Sequence, residues 1–315
     1  MNHSVMPFQA SPYTAYMQQT QVELSNGQRL HVEIGGAPDA PTILLVMGLG
    51  AQLLFWPNSF CHALIHQGFR VIRYDNRDIG LSSKIKHRGK RLNVIKMMGR
   101  FAVGLNNQGA PYNLYDMAED AALLIEHLKL QSVHVIGASM GGMIAQILAA
   151  KYPDKVDKLA LLFTSNNRPF LPPPYPKQLY SLLGKPQSND EQGIIDHTVK
   201  MFNSIGSPGY VNPIESLCTA RRLYQRSHYP TGVRQQFLAI LCTGSLLELD
   251  QQIKADTLVI HGSRDRLLPP PHGKAVAKAI SGAKFELIEG MGHDIPSHFI
   301  PQLSNLFAQH FTHKN

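Results

Sequence analysis

Apolar positions along this chain follow two alternating rhythms. Residues 21–24 and 29–34 flank Ser25-Asn26-Gly27-Gln28, and Asn-Gly between two alternating segments predicts a hairpin. Residues 42–47 form an apolar run too short for a helix, which predicts a buried strand ending in Gly48-Leu49-Gly50. Residues 57–67 read as a helix with Gly68 as its stop, and 70–74 as the next strand. Leu114, Met117, Ala121, Leu124, Ile125 and Leu128 then recur at helical spacing. A strand at 133–136, a helix at 141–151 and a strand at 158–163 follow. Towards the C-terminus the pattern predicts strands at 257–261 and 284–288, with helices at 272–280 and 297–310 around the last strand.

Strands alternating with helices predict a parallel sheet covered on both faces, and the opening hairpin adds an antiparallel edge. The expected fold class is therefore α/β, with a mostly parallel, eight-stranded sheet flanked by helices. The rhythm breaks twice. Residues 84–113 carry a basic stretch and an apolar, helix-like segment around 92–103. Residues 165–250 contain Pro172-Pro173-Pro174 and several helical patches without a clear strand. A run of that length is too long for a plain loop. It reads as a helical cap inserted between two strands of a core formed by 1–164 and 251–315, the alternative being a passive packing domain. Phe170, Tyr175, Tyr180, Phe202, Tyr210 and Leu223 are among the residues it offers for an apolar lining.

Composition narrows the picture. At 315 residues, 43% hydrophobic and 17% charged, the chain can bury a core and is not compositionally disordered. The formal net charge is +8, and residues 79–115 hold Lys84, Lys86, Arg88, Lys90, Arg91, Lys96 and Arg100 with no Asp or Glu. That stretch is either a solvated basic face or a surface for anionic lipid or substrate. Nucleic-acid partners are disfavoured because none of the usual motifs accompanies the charge. Cys61, Cys218 and Cys242 are odd in number and widely spaced, which argues against a disulfide framework or a Cys-rich zinc site and fits a reducing compartment. Residues 1–19 lack the pattern of a secretory signal, and no spanning apolar segment occurs, so a cytoplasmic location is expected.

The chemistry rests on three residues. Gly137-Ala138-Ser139-Met140-Gly141 is a G-x-S-x-G sequence between a predicted strand and a predicted helix. In that setting a sharp turn lifts the Ser hydroxyl clear of the sheet. A serine hydroxyl needs a base within hydrogen-bond reach, and the base needs an acid to orient it. Among 15 histidines His293 stands out, because Gly290-Met291-Gly292-His293 follows the last predicted strand. Asp265 follows the strand at 257–261 in the same way. Loops at the C-terminal ends of parallel strands line the crevice where ligands bind. Asp294, Asp75 and Asp78 are weaker candidates for the acid: Asp294 adjoins His293, and the other two read as loop braces. The oxyanion of acyl transfer needs two backbone donors, expected from Met140 after the nucleophile and from Leu49 in the loop after residues 42–47. This chemistry requires neither a metal nor an organic cofactor, and its partner is a small-molecule ester.

Taken together, MGLG, GASMGG, HGSRD and GMGHD resemble motifs of the α/β-hydrolase superfamily. The stretch MGLGAQLLFWP, continuing to GFRVIRYDNRDIGLSS, is similar to esterases grouped with aclacinomycin methylesterase. The resemblance implies a carboxylesterase with a helical cap, its functional residues falling on Ser139, Asp265, His293, Leu49 and Met140. Met47 departs from the pattern, since many relatives have His before the oxyanion glycine. Ser139 disfavours epoxide opening and halide displacement, which use Asp at that turn, and Met140 disfavours proline-type aminopeptidases. Lactonases and perhydrolases share the same triad and stay open. So do two other classes: a catalytically silent ligand binder, and a lipase using Leu92, Ile95, Met98 and Phe101 at a membrane surface.

Overall fold

A computed structural model describes residues 7–86 and 92–313. The chain opens with strands β1 (Gln9–Ala10), β2 (Met17–Glu23), β3 (Arg29–Gly35) and β4 (Thr42–Val46), then helix α1 (Asn58–His66) and β5 (Arg70–Tyr74). After α2 (Val94–Ala102) and α3 (Leu114–His127) come β6 (Val133–Ala138), α4 (Met140–Lys151) and β7 (Val156–Leu162). Helices α5 (Pro176–Leu183), α6 (Glu191–Ile205), α7 (Pro213–Arg226), α8 (Pro230–Thr243) and α9 (Leu247–Asp250) fill the stretch before β8 (Asp256–Gly262). The chain ends with α10 (Pro271–Ala279), β9 (Lys284–Ile288) and α11 (Ile300–Thr312).

The nine strands among the described residues form one sheet in the order β1-β2-β3-β5-β4-β6-β7-β8-β9. The pairs from β5 through β4 to β9 are parallel, while β1, β2 and β3 add an antiparallel edge. The strand beyond the eight expected is β1, a two-residue pairing of Gln9 and Ala10 with Gln19 and Gln18. Both of its residues are exposed, so no alternation marks it. The strand β2 begins at Met17, before the predicted 21–24, because Thr20 fills a buried position there as an apolar residue would.

The sheet divides the core into two layers. In β4, Leu44 and Val46 pack with α3 and α4, while Ile43 and Leu45 pack with α1 and α11. Successive strand side chains point to opposite faces, so a strand covered on both sides is apolar throughout, as 42–47 is. α4 is buried along almost its whole length, Met140 to Ala149.

Helix α2 settles part of the reading of the basic stretch. Met97 is buried, and Leu92, Met98 and Phe101 pack against Leu238 and Leu241, whereas Ile95 is 84% exposed. Three of the four apolar positions are thus packing residues. Arg88, Lys90 and Arg91 lie outside the described residues.

Asp250, at the end of α9, is fully buried. Its Oδ2 accepts from Asn166 Nδ2 at 2.9 Å, and its Oδ1 has no hydrogen-bond partner among the described residues. Burial pushes its pKa up to about 7. The folded chain therefore holds this proton more tightly than the unfolded chain, where a carboxyl titrates near ~3.9. The associated stability is complete below the unfolded value and is lost as pH rises through about 7. Asp250→Asn should therefore gain in melting temperature relative to the parent between pH 5 and pH 8. Thermal unfolding at the two pH values checks this, and an equal difference at both contradicts it.

Candidate active site

Ser139 joins β6 to α4 with φ 56° and ψ −122°. A non-glycine residue in that region is strained and persists only when its surroundings hold it. Here β6 is locked between β4 and β7, and Thr164 Oγ1 donates to the Ser139 carbonyl at 2.6 Å. The turn is tight because Gly141 lies against β4: a Cβ there would come within 2.1 Å of the Val46 carbonyl oxygen.

His293 and Asp265 stand in the loops after β9 and β8. The structure brings them to Ser139: His293 Nε2 is 3.0 Å from Ser139 Oγ, and His293 Nδ1 is 2.7 Å from Asp265 Oδ2. A carboxylate only accepts, so Nδ1 carries the proton and Nε2 presents its lone pair to the Ser139 hydroxyl. Asp265 is buried, with Leu267 N–H and Leu268 N–H both donating to its Oδ1 at 2.9 Å. Burial by itself raises a carboxyl pKa, but the neighbouring His293 and His261 override it and hold Asp265 well below the usual carboxylate range. Asp265 is thus charged at any working pH. The ring of Phe163 tilts against the His293 imidazole, with centroids 4.6 Å apart.

The loop after β4 closes the other side of Ser139. A Cβ on Gly48 would lie 3.4 Å from Ser139 Oγ, so a glycine there keeps the approach to the hydroxyl open. Gly50 N–H donates to Gln236 Oε1 at 2.9 Å and Ala51 N–H to the Gly48 carbonyl at 3.2 Å, so both are engaged. Leu49 N–H is not among these engaged donors. Met140 is the first residue of α4, where an N–H has no acceptor one turn back.

Asp75 and Asp78 are braces. Asp75 accepts from Leu53 N–H at 2.7 Å and Leu81 N–H at 2.9 Å, and pairs with Arg226 of α7 at 2.8 Å. Asp78 accepts from Ile85 N–H at 2.6 Å and Gln235 Nε2 at 3.0 Å. Asp294 turns away from the ring of its neighbour and binds Ser207.

Several further residues brace the site. Gln236 spans from Gly50 N–H to the Arg77 carbonyl, which its Nε2 reaches at 2.9 Å. Asn76 Nδ2 donates to the Met47 carbonyl at 2.8 Å, steadying the same loop. His261 Nε2 lies 2.7 Å from the Leu268 carbonyl and 3.4 Å from Asp265 Oδ2. Gln236 lies in no motif, whereas Asn76 and His261 fall inside YDNRD and HGSRD, stretches that do not by themselves show which main-chain atoms these side chains hold. The apolar residues offered for a lining differ in exposure. Phe170 is 83% and Tyr180 75% exposed and face solvent, while Phe202 meets Phe55 edge-on at 5.5 Å. Among the described residues no group of three His, Cys, Asp or Glu is placed to hold a metal ion, and no helix is long and apolar enough to cross a membrane.

Comparison with known proteins places the chain. It is 28% identical to rhodomycin D methylesterase DauP of Streptomyces sp. (strain C5), over 84% of this chain and 88% of that one. It is 26% identical, with the same coverage, to rhodomycin D methylesterase DnrP of Streptomyces peucetius. Among solved structures, the enol-lactonase from Burkholderia xenovorans LB400 superposes with a TM-score of 0.71 at 23% identity, covering 93% of this chain and 100% of that one, a likeness of fold. Residues 41–297 match the model of the alpha/beta hydrolase fold family, and the chain belongs to that family.

Proposed function

We propose that this protein is a serine hydrolase that cleaves carboxylic esters through an acyl-enzyme intermediate on Ser139. The observation that carries the reading is the unbroken relay from Ser139 Oγ to His293 Nε2 at 3.0 Å and from His293 Nδ1 to Asp265 at 2.7 Å. His293 takes the proton of Ser139 as Oγ bonds to the ester carbonyl carbon. The carbonyl oxygen becomes an oxyanion, held by the N–H groups of Met140 and Leu49. Collapse breaks the bond to the alcohol, which leaves with the proton from His293. Water, deprotonated by the same ring, then attacks the acyl-enzyme, and collapse of the second tetrahedral adduct frees the acid and restores Ser139. Asp265 stays ionised throughout and stabilises the imidazolium.

The relatives named as methylesterases support an ester whose alcohol is small. The helices α5 to α9 act as a cap that shapes the acyl side. Leu223 is buried on α7, and its carbonyl accepts from Gln52 of the oxyanion side at 2.8 Å. Three unpaired thiols, Cys61, Cys218 and Cys242, favour a reducing compartment.

Hydrolysis of p-nitrophenyl esters from acetate to palmitate tests the reading, with Ser139→Ala as the blank. Ser139-dependent turnover with an optimum at one chain length is the expected result. Turnover of lactones alone would move the assignment to lactonase chemistry on the same residues. No turnover of either class by the folded protein would overturn it.

A further inference from the structure

The loop that carries His293 is held from two sides. On the core side, Gly290 N–H donates to Ser263 Oγ at 2.9 Å, and Arg264 N–H to the Met291 carbonyl at 2.9 Å. The other side belongs to the helical stretch between β7 and β8, at the turn from α6 to α7. There the Ile205 carbonyl accepts the His293 N–H at 2.8 Å. Ser207 Oγ accepts the Gly292 N–H at 2.8 Å and donates to Asp294 Oδ1 at 2.5 Å, and Ser207 N–H donates to the same oxygen at 3.0 Å. Four hydrogen bonds therefore tie residues 205–207 to residues 292–294. The two main chains touch as well: a Cβ on Gly292 would lie 2.6 Å from the Gly206 carbonyl carbon. Ser207 is fully buried, so water does not replace its hydroxyl if it is removed.

We infer that Ser207 and Asp294 are positioning residues for the base, and that the α6–α7 turn of the cap helps set the angle of the His293 ring. The inference rests on the reading of His293 as base. The geometry goes beyond ordinary covering of a pocket, because the contacts fall on the main-chain N–H groups of Gly292 and His293 and on the side chain of Asp294. Two successive backbone N–H groups held in place, with a side-chain anchor on the next residue, restrict the Cα–Cβ direction of His293. That direction decides whether Nε2 meets Ser139 Oγ while Nδ1 meets Asp265. Asp294 serves through an acceptor oxygen rather than through its charge, since both bonds it receives come from neutral donors of Ser207. Displacing a catalytic group by about 1 Å can lower rate about 100-fold.

The experiment measures kcat and KM on p-nitrophenyl acetate, a substrate too small to depend on the cap lining, for Ser207→Ala, Asp294→Ala, Asp294→Asn and His293→Ala, with thermal unfolding of each. Ser207→Ala and Asp294→Ala should lower kcat about 10- to 100-fold with KM within about twofold, since substrate binding itself is untouched. Asp294→Asn keeps the acceptor oxygen and should stay within about threefold of the parent in kcat. A parental kcat in Ser207→Ala, or a change confined to KM, would overturn the inference. So would an Asp294→Asn loss equal to that of Asp294→Ala, a comparison that holds even if Ser207→Ala does not fold. Retained activity in His293→Ala would instead remove the base reading itself, which separates the two failures.

Discussion

Ser139→Ala should lower ester turnover by about 10⁴- to 10⁶-fold, leaving a rate that reflects binding and the oxyanion donors alone. The size follows from what is lost. Alanine offers no oxygen to attack the carbonyl, and His293 has no proton to take. The substitution spares the fold. The Ser139 side chain has the His293 ring as its hydrogen-bond partner at 3.0 Å, while the main-chain bond from Thr164 Oγ1 to the Ser139 carbonyl does not need the hydroxyl. The melting temperature should therefore stay at or above the parental value, as removing groups from functional sites commonly allows. Steady-state assays beside thermal unfolding check both halves. Retained turnover in a folded variant would refute Ser139 as nucleophile.

Asp265→Asn should cost about 10⁴-fold in kcat. Geometry dictates which way the new amide faces. Leu267 N–H and Leu268 N–H both donate to Oδ1, so the amide oxygen must stay there. The amide nitrogen then occupies the Oδ2 position, 2.7 Å from His293 Nδ1 and 3.4 Å from His261 Nε2. A donor facing Nδ1 makes that nitrogen the acceptor and moves the ring proton to Nε2, where it meets the Ser139 hydroxyl instead of receiving its proton. His261 Nε2 must donate to the Leu268 carbonyl, so it faces the amide nitrogen donor to donor. A measurable loss of thermal stability should accompany the loss of rate. Near-parental kcat in this variant would remove Asp265 from the mechanism.

Much of the fold and the three polar partners were legible in the sequence, for a physical reason. A parallel strand buried on both faces is a short apolar run, and the loop after it lies at the edge of the sheet where ligands bind. Ser139, Asp265 and His293 each follow such a run, so local pattern alone put them at one edge. The same logic marked Gly48-Leu49-Gly50. What stayed hidden has no local pattern. Ser207 meets Gly292 and Asp294 across more than 80 positions, and Gln236 meets Gly50 across 186. Nothing near either residue in the chain reports those contacts. The aromatics between β7 and β8 were open for a related reason: an apolar side chain there faces a pocket, a neighbouring helix or solvent, and Phe170 and Tyr180 face solvent. Strand β1 went unseen because two exposed residues carry no alternation.

Ser139, activated by His293, should be the residue that becomes acylated. A fluorophosphonate carrying a mass tag tests this most directly, because it reacts with an activated serine as the ester would and stays attached. Intact-mass measurement followed by peptide mapping should find one adduct per chain, on Ser139, with labelling strongly slowed in His293→Ala. A folded, ester-cleaving protein that takes up no label, or takes it up on a residue other than Ser139, would contradict the account.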